Sequence, residues 1–175
     1  SVFMKKIFPL FLLLFAFAAC RKDSFITSGD ARVTITTDSL KYDTVFTRVG
    51  SVTKSFKIIN DNDRKLRLNS VKLMGGTTSA FKMNVDGTSA PEVNNIEINA
   101  NDSIYVFVQV NVDPAAGSLP FIISDSIQID YNGNPRKVQL QAWGQNAHFL
   151  RGHEITSDET WNNDLPYVIL DYLYV

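Results

Sequence analysis

Cysteine is nearly absent: Cys20 is the only one in 175 residues. No disulfide framework can form within the chain, so a folded domain here is stable by burial alone. Histidine is almost as scarce, and His148 and His153 both lie near the C-terminal end. Zinc sites take three or four ligands in fixed geometry. Neither histidine has a third ligand at diagnostic spacing, and His153-Glu154 reads as loop sequence. A Ser-His-Asp hydrolase needs an exposed nucleophile beside a base, and no Gly-x-Ser-x-Gly occurs. Gly75-Gly76 is too short for a phosphate loop and no Lys-Ser/Thr pair follows it. Asp61-x-Asp63 opens like a calcium loop, but Leu66 stands where glycine is needed and Lys72 where the closing glutamate belongs. Lys and Arg number 17 against 18 Asp and Glu, a net charge of −1, with no basic stripe. Nucleic acid is therefore not an expected partner. No apolar run reaches the roughly 20 residues that a spanning helix needs. These absences leave no candidate catalytic residue, metal ligand or cofactor motif, and the chain is expected not to be an enzyme.

What is present begins at the N-terminal end. Lys5 and Lys6 precede the apolar stretch Ile-Phe-Pro-Leu-Phe-Leu-Leu-Leu-Phe-Ala-Phe-Ala-Ala, which closes on Cys20. Positive charge, apolar core and small-residue exit are the parts of a helical secretory signal, and Pro9 argues against a permanent packed helix. Met4 reads as the translation start. Phe17-Ala18-Ala19-Cys20 resembles a bacterial lipobox, with Phe17 where leucine is usual. That resemblance implies that residues 1–20 are a lipoprotein signal peptide and that Cys20 becomes the lipidated first residue of the mature chain. Several acyl chains there would anchor it to a membrane, at roughly 0.8 kcal/mol per buried CH₂. An ordinary cleaved signal with an incidental cysteine is the alternative.

Roughly 155 residues remain, enough for one domain with its own core. After the signal, Val, Ile, Thr, Ser and Asn are plentiful while Glu is scarce, a bias toward strands and turns. Residues 21–31 read as a polar tether. Alternation then predicts strands over 32–36, 43–49, 52–60, 66–74, 81–85, from Ile96, and over 103–112, 122–131 and 136–144. The phase in 66–74 switches between Leu68 and Val71, which predicts a bulge near Ser70. Residues 90–95 read as a loop. In 103–112, Ile104, Val106, Val108 and Val110 face one way, while Tyr105 and Phe107 face the other. Asn132-Gly133-Asn134-Pro135 is a hairpin turn. About seven to nine short strands without an amphipathic helix predict an all-β, antiparallel two-sheet sandwich over 32–147. An open barrel is the alternative arrangement.

Residues 43–60, 98–108 and 140–147 (the last Leu-Gln-Ala-Trp-Gly-Gln-Asn-Ala) resemble lipoproteins of Bacteroidota that carry an immunoglobulin-like module similar to the ASPM/SPD-2/Hydin domains. The likeness covers roughly residues 34–149. It implies an immunoglobulin-like sandwich at the cell envelope, lipid-anchored to the outer membrane on its periplasmic or its surface face. It supplies no catalytic residues. In such proteins the module often precedes a right-handed parallel β-helix, whereas this sequence stops at Val175. Residues 148–175 are apolar at their end, so they either pair as a strand on the domain or lead into further protein, and the second reading is preferred. Asp38-Ser39-Leu40, Asp43-Thr44-Val45, Asp102-Ser103-Ile104 and Asp125-Ser126-Ile127 resemble the O-glycosylation signal of exported Bacteroidota proteins. Ser39, Thr44, Ser103 and Ser126 are the acceptors this implies, although Asp-Ser also ends turns before strands. Trp143, Trp161 and Tyr105, with Phe107, could offer an aromatic platform for a glycan or peptide, but core packing is the preferred reading of these rings. The sequence thus points to a spacer or protein-interaction module, with a glycan- or peptide-binding surface protein as the alternative.

Overall fold

Period-two alternation builds nearly all of the structure. The computed structural model describes residues 24–46, 51, 53–112 and 121–175, without the side chains of Thr44, Phe46 and Phe121. The apolar leader and Cys20 lie outside these residues. The strands are β1 (Val33–Ile35), β2 (Ser39–Phe46), β3 (Lys54–Asn60), β4 (Leu66–Leu73), β5 (Phe81–Val85), β6 (Thr88–Ser89), β7 (Glu92–Ile98), β8 (Ser103–Val110), β9 (Phe121–Tyr131), β10 (Asn134–Gln145), β11 (His148–Glu154) and β12 (Tyr167–Tyr174). Among the described residues a single 3-10 turn, Gly76–Thr78, interrupts them. No helix among the described residues is long and apolar enough to cross a membrane.

Two five-stranded sheets face each other, one in the order β1-β3-β8-β5-β6, the other in the order β2-β10-β9-β4-β7. Almost every connection changes sheet. Only the hairpins β5–β6 and β9–β10 join sequence neighbours within one sheet. This is an immunoglobulin-like β-sandwich. Within these two sheets the strands pair antiparallel except for β2 and β10, which run parallel. Both hairpins turn on two residues in the left-handed region, Asp86 and Gly87 (φ 47° and 88°), then Asn132 and Gly133 (46° and 80°). Those are the conformations that the right-handed strand twist favours.

The core forms between the sheets. Phe56, Phe81, Val106 and Val108 from the first sheet meet Leu66, Leu73, Ile127 and Leu140 from the second, all essentially inaccessible. Each such side chain contributes about 1.5–3 kcal/mol when taken fully from water. Tyr42 is buried with them. Its hydroxyl donates to the Val108 carbonyl at 2.6 Å, and burial pushes its pKa up to about 12.

The buried polar groups are concentrated in one knot. Asn60 is inaccessible and Asn62 nearly so. The Asn60 amide nitrogen lies 2.8 Å from the carbonyls of both Arg64 and Asn99, and 3.1 Å from that of Ile98. Its oxygen accepts from Asn62 Nδ2 at 2.7 Å, and Asn62 in turn holds both backbone groups of Arg32. The lead-in to β1, the β3–β4 turn and the β7–β8 turn are thereby fastened together.

The structure corrects two boundaries and refines a third. The strand expected from 43 begins at Ser39, because Asp43 bulges: Tyr42 pairs with Ala142 and Thr44 with Trp143. The loop expected over 90–95 is strand β7 from Glu92, whose consecutive exposed Asn94 and Asn95 break the alternation. The phase switch near Ser70 is present. Buried positions move from Leu66 and Leu68 to Val71 and Leu73, opposite Asn95 in the left-handed region (φ 55°). Both strands slip together, so the register stays in step from Leu68↔Ile96 to Ser70↔Asn94.

Candidate functional site

The outward faces of the two sheets differ in chemistry. On the first sheet, β8 presents Tyr105 and Phe107, stacked with centroids 5.5 Å apart and planes 16° from parallel. The Lys57 ammonium sits 4.6 Å from the Tyr105 centroid, a cation–π contact worth about 0.5–1 kcal/mol at an exposed site. Lys82, also outward, lies 3.2 Å from the Ser79 carbonyl, whereas Lys54 shares the inward phase of Phe56 and reaches across to the Lys41 carbonyl of the second sheet at 2.6 Å. None of these three lysines has a carboxylate partner among the described residues. The second sheet's outward face is balanced: Arg67 pairs with Glu97 at 2.9 Å, Lys72 with Glu92 at 3.0 Å, and Ser70 donates to Asp130.

A groove opens along β5. β6 pairs with β5 only at Asn84↔Ser89 and Val85↔Thr88. The chain then departs, and the Pro91 carbonyl accepts the Leu73 N–H at 2.8 Å in the other sheet. The gap has a volume of about 520 Å³, floored by Leu73, Phe81 and Met83, with Phe107 on one wall and Ala90 and Pro91 on the other.

A third arrangement occupies the C-terminal strands, which pair with each other rather than with a sandwich strand. β11 and β12 run parallel in the register His148↔Tyr167 to Glu154↔Tyr174. Gly152 (φ 54°) stands against Asp171 (φ 74°) and Tyr172, where the register shifts, and a Cβ at Gly152 would touch the Tyr172 ring at 3.4 Å. The crossover is pinned to β11 by both histidines: His148 Nε2 lies 2.9 Å from Asp164 Oδ1, and His153 Nε2 2.9 Å from Glu159 Oε2. Trp161 Nε1 also donates to Glu159 at 3.2 Å. Tyr167 lies between two rings, 4.6 Å from Trp161 and 4.7 Å from His148. The hydrogen bond from His153, then that from Trp161, lowers the Glu159 pKa, and the hydrogen bond from His148 lowers that of Asp164. Arg151 bonds Asp171 at 3.0 Å. Among the described residues no cluster of three or more His, Cys, Asp and Glu could hold a metal ion.

The residues singled out from sequence fall in different places. Ser39 and Ser103 open β2 and β8, and Ser126 lies within β9. All three are half-buried on the outer side of an inward-facing neighbour. The Ser103 and Ser126 amides each donate to the preceding aspartate at 2.7 Å, and Asp125 also accepts from the Gly75 N–H at 3.0 Å. Thr44 lies on β2 opposite Trp143 in register. The preference for core packing of the aromatics is corrected: Tyr105 is 43%, Phe107 42%, Trp143 46% and Trp161 38% exposed, because each sits on the outward side of its strand or on the β11–β12 crossover. They form no single platform, since Tyr105 and Trp143 project from opposite sheets. The stacking role of Tyr167 and the groove beside β5 were missed. Asp86-Gly87, a hairpin dipeptide after the 81–85 strand, was the available signal for β6.

No family model matches the chain, and no curated protein matches it. Solved structures that resemble it include the ASH/PapD-like domain 7 of human CEP192, at 11% identity and a TM-score of 0.48, covering 74% of this chain and 94% of that one. A family 123 glycoside hydrolase from Clostridium perfringens, active on glycolipid glycans, has 8% identity and a TM-score of 0.47 over 70% of this chain and 30% of its own. The E. coli chaperone DraB has 10% identity and a TM-score of 0.43 over 65% and 56%. The chain thus spans under a third of the hydrolase and just over half of the chaperone. Nothing about activity or partners follows from likenesses at this level.

Proposed function

We propose that this chain is a non-enzymatic, lipid-anchored envelope protein whose immunoglobulin-like domain works as a protein-interaction module held off the outer membrane through Cys20. The observation that carries the interaction reading is the outward face of the first sheet, where a stacked aromatic pair stands beside two lysines, Lys57 and Lys82, with no carboxylate partner among the described residues. Exposed aromatic rings on a rigid sheet are what interfaces use as anchors. The resemblance to Bacteroidota lipoproteins and the Phe17-Ala18-Ala19-Cys20 sequence support the anchor. The parallel pairing of β11 and β12 supports the reading of the tail as the opening of a parallel coil.

Two measurements test this. The intact mass of the protein from its host's membrane fraction should carry acyl chains that Cys20→Ser removes, and an unacylated wild-type mass refutes the anchor. Hexose-type increments on the same sample, lost on combined substitution of Ser39, Thr44, Ser103 and Ser126, would report O-glycosylation. A photo-crosslinking side chain at Phe107 should give a discrete protein adduct in the envelope while one at Gln128 gives none. Equal or absent adducts refute the interaction face. A glycan-binding reading is favoured by one observation, the part-exposed Trp161 on Tyr167. It requires Trp161 fluorescence to respond to oligosaccharides in a Trp143→Phe background, and a flat titration removes it.

A further inference from the structure

We propose that the groove beside β5 takes an extended, acidic peptide segment of a partner protein, which adds to the open strand edge at residues 81–83. The inference rests on the interaction-module reading and names the edge and the chemistry of the partner.

The backbone argument comes first. Asp86 N–H bonds the Tyr105 carbonyl, and the Ala80 carbonyl accepts from Asn111. Even-numbered residues of this stretch therefore turn their backbone groups toward β8, and Phe81 and Met83 turn theirs to the groove side. The Phe81 N–H is taken by Ser79 Oγ at 3.1 Å. Met83 has no strand opposite it among the described residues, because β6 reaches only Asn84 and Val85. An unpaired strand edge beside an open channel is a template for another strand.

The groove's shape and charge then select the occupant. Residues 81–83 extend over about 10 Å at roughly 3.3 Å per residue, so three or four residues of a guest lie alongside. Leu73, Phe81 and Met83 lie buried beneath the groove, so every second guest side chain meets the walls of Phe107, Ala90 and Pro91, which suit small apolar residues. Among the described residues Lys82 is the one charged residue lining the groove, and Lys57 on the same outward face also lacks a carboxylate partner among them. Lys82 rests on loop carbonyls at 3.2 and 3.5 Å, and a guest carboxylate is a stronger acceptor for it. A sugar is the poorer fit, because one face of Phe107 is already covered by Tyr105.

The test uses the full ¹⁵N-labelled chain and two blocked pentapeptides, Asp-Val-Thr-Val-Asp and Lys-Val-Thr-Val-Lys. The acidic peptide should shift the amides of residues 81–83, slow exchange of the Met83 amide, and bind at least about tenfold more tightly than the basic one, since two like-signed charges replace two complementary ones. Ala90→Trp, which fills the groove from its half-buried wall, should abolish that response, and Lys82→Glu should reverse the charge preference. If Ala90→Trp fails to fold, Phe107→Ala removes an exposed wall instead and should weaken binding. Equal affinity for both peptides, or a response indifferent to the groove variants, overturns the proposal. Shifts confined to β1, β7 or β12 overturn it while leaving the interaction-module reading in place. Silence throughout the chain at millimolar peptide overturns both. A groove response to cellohexaose but to neither peptide overturns it in favour of a glycan.

Discussion

The sandwich and the β11–β12 pair are both built of strands, yet they are held by opposite means. In the sandwich, two sheets bury a shared apolar layer, and the polar groups caught inside it are tied off by Asn60 and Asn62. In the parallel pair no side chain is fully buried; two histidine–carboxylate contacts and a three-ring stack hold the crossover in place, and one Arg–Asp contact joins the two strands. Contacts of that kind between exposed groups contribute little individually, and two-stranded sheets are marginal on their own. Cooperative global stability belongs to the first region, and local opening to the second.

The largest effect should come from the shared layer. Phe56→Ala should cost about 3–5 kcal/mol of global stability in urea unfolding, and a loss confined to the β11–β12 amides would contradict the division. Asn60→Leu, similar in size but without hydrogen-bonding groups, should cost about 3 kcal/mol because it strands three inaccessible or partly buried carbonyls at once. An unchanged midpoint would mean water replaces the knot. In the other region Gly152→Ala places a Cβ at φ 54° against the Tyr172 ring. It should cost roughly 1–2 kcal/mol of local stability, seen as faster amide exchange in β11 and β12 with the sandwich midpoint unmoved.

The two regions should also divide by pH. Tyr42 has its folded pKa raised from 10.0 to about 12. Its share of stability is full below the unfolded value and is lost as pH rises through that window. Tyr42→Phe should flatten the alkaline limb of the sandwich's stability curve. Glu159 and Asp164 have lowered folded pKa values, so their contribution is present above the ordinary carboxylate range and disappears as pH falls through the lowered values. Trp161 emission in a Trp143→Phe background should change in acid before the sandwich unfolds. The smallest effect is Arg151→Ala, under about 1 kcal/mol, readable only in β12 exchange rates.

Much of the sandwich was legible in the chain because one-sided burial writes a period of two. The Ile104-to-Val110 alternation, the slip after Leu68 and the Asn132-Gly133 turn were all visible as residues. β7 was not, since Asn94 and Asn95 break its pattern where the strand itself slips. Exposure of Tyr105 and Phe107 was illegible for a different reason: alternation says that they face away from Val106, but not whether another layer covers that side. The groove had no sequence signature, because it is a space left when the chain leaves β5 after Ser89 and joins the opposite sheet at Pro91. The parallel pairing of β11 and β12 depends on a crossover, and short apolar runs do not encode which neighbour they meet.

The parallel ladder between β2 and β10 has a mechanical consequence. The chain enters β2 from the end nearest the N-terminus and leaves β10 toward β11, so tension along the backbone pulls the two strands in opposite directions along their shared axis. Seven registered pairs, Ser39↔Gln139 to Phe46↔Gln145, then bear the load together in shear instead of parting one by one. Before it reaches them, the same pull meets a clasp: Asn132 Nδ2 bridges the carbonyls of Ile26 and Ser28, Asn134 holds that of Gly29, and the Ile26 N–H bonds Lys65. A pull applied at the N-terminal end would thereby be met first at the turn between β9 and β10, the two longest of the described strands.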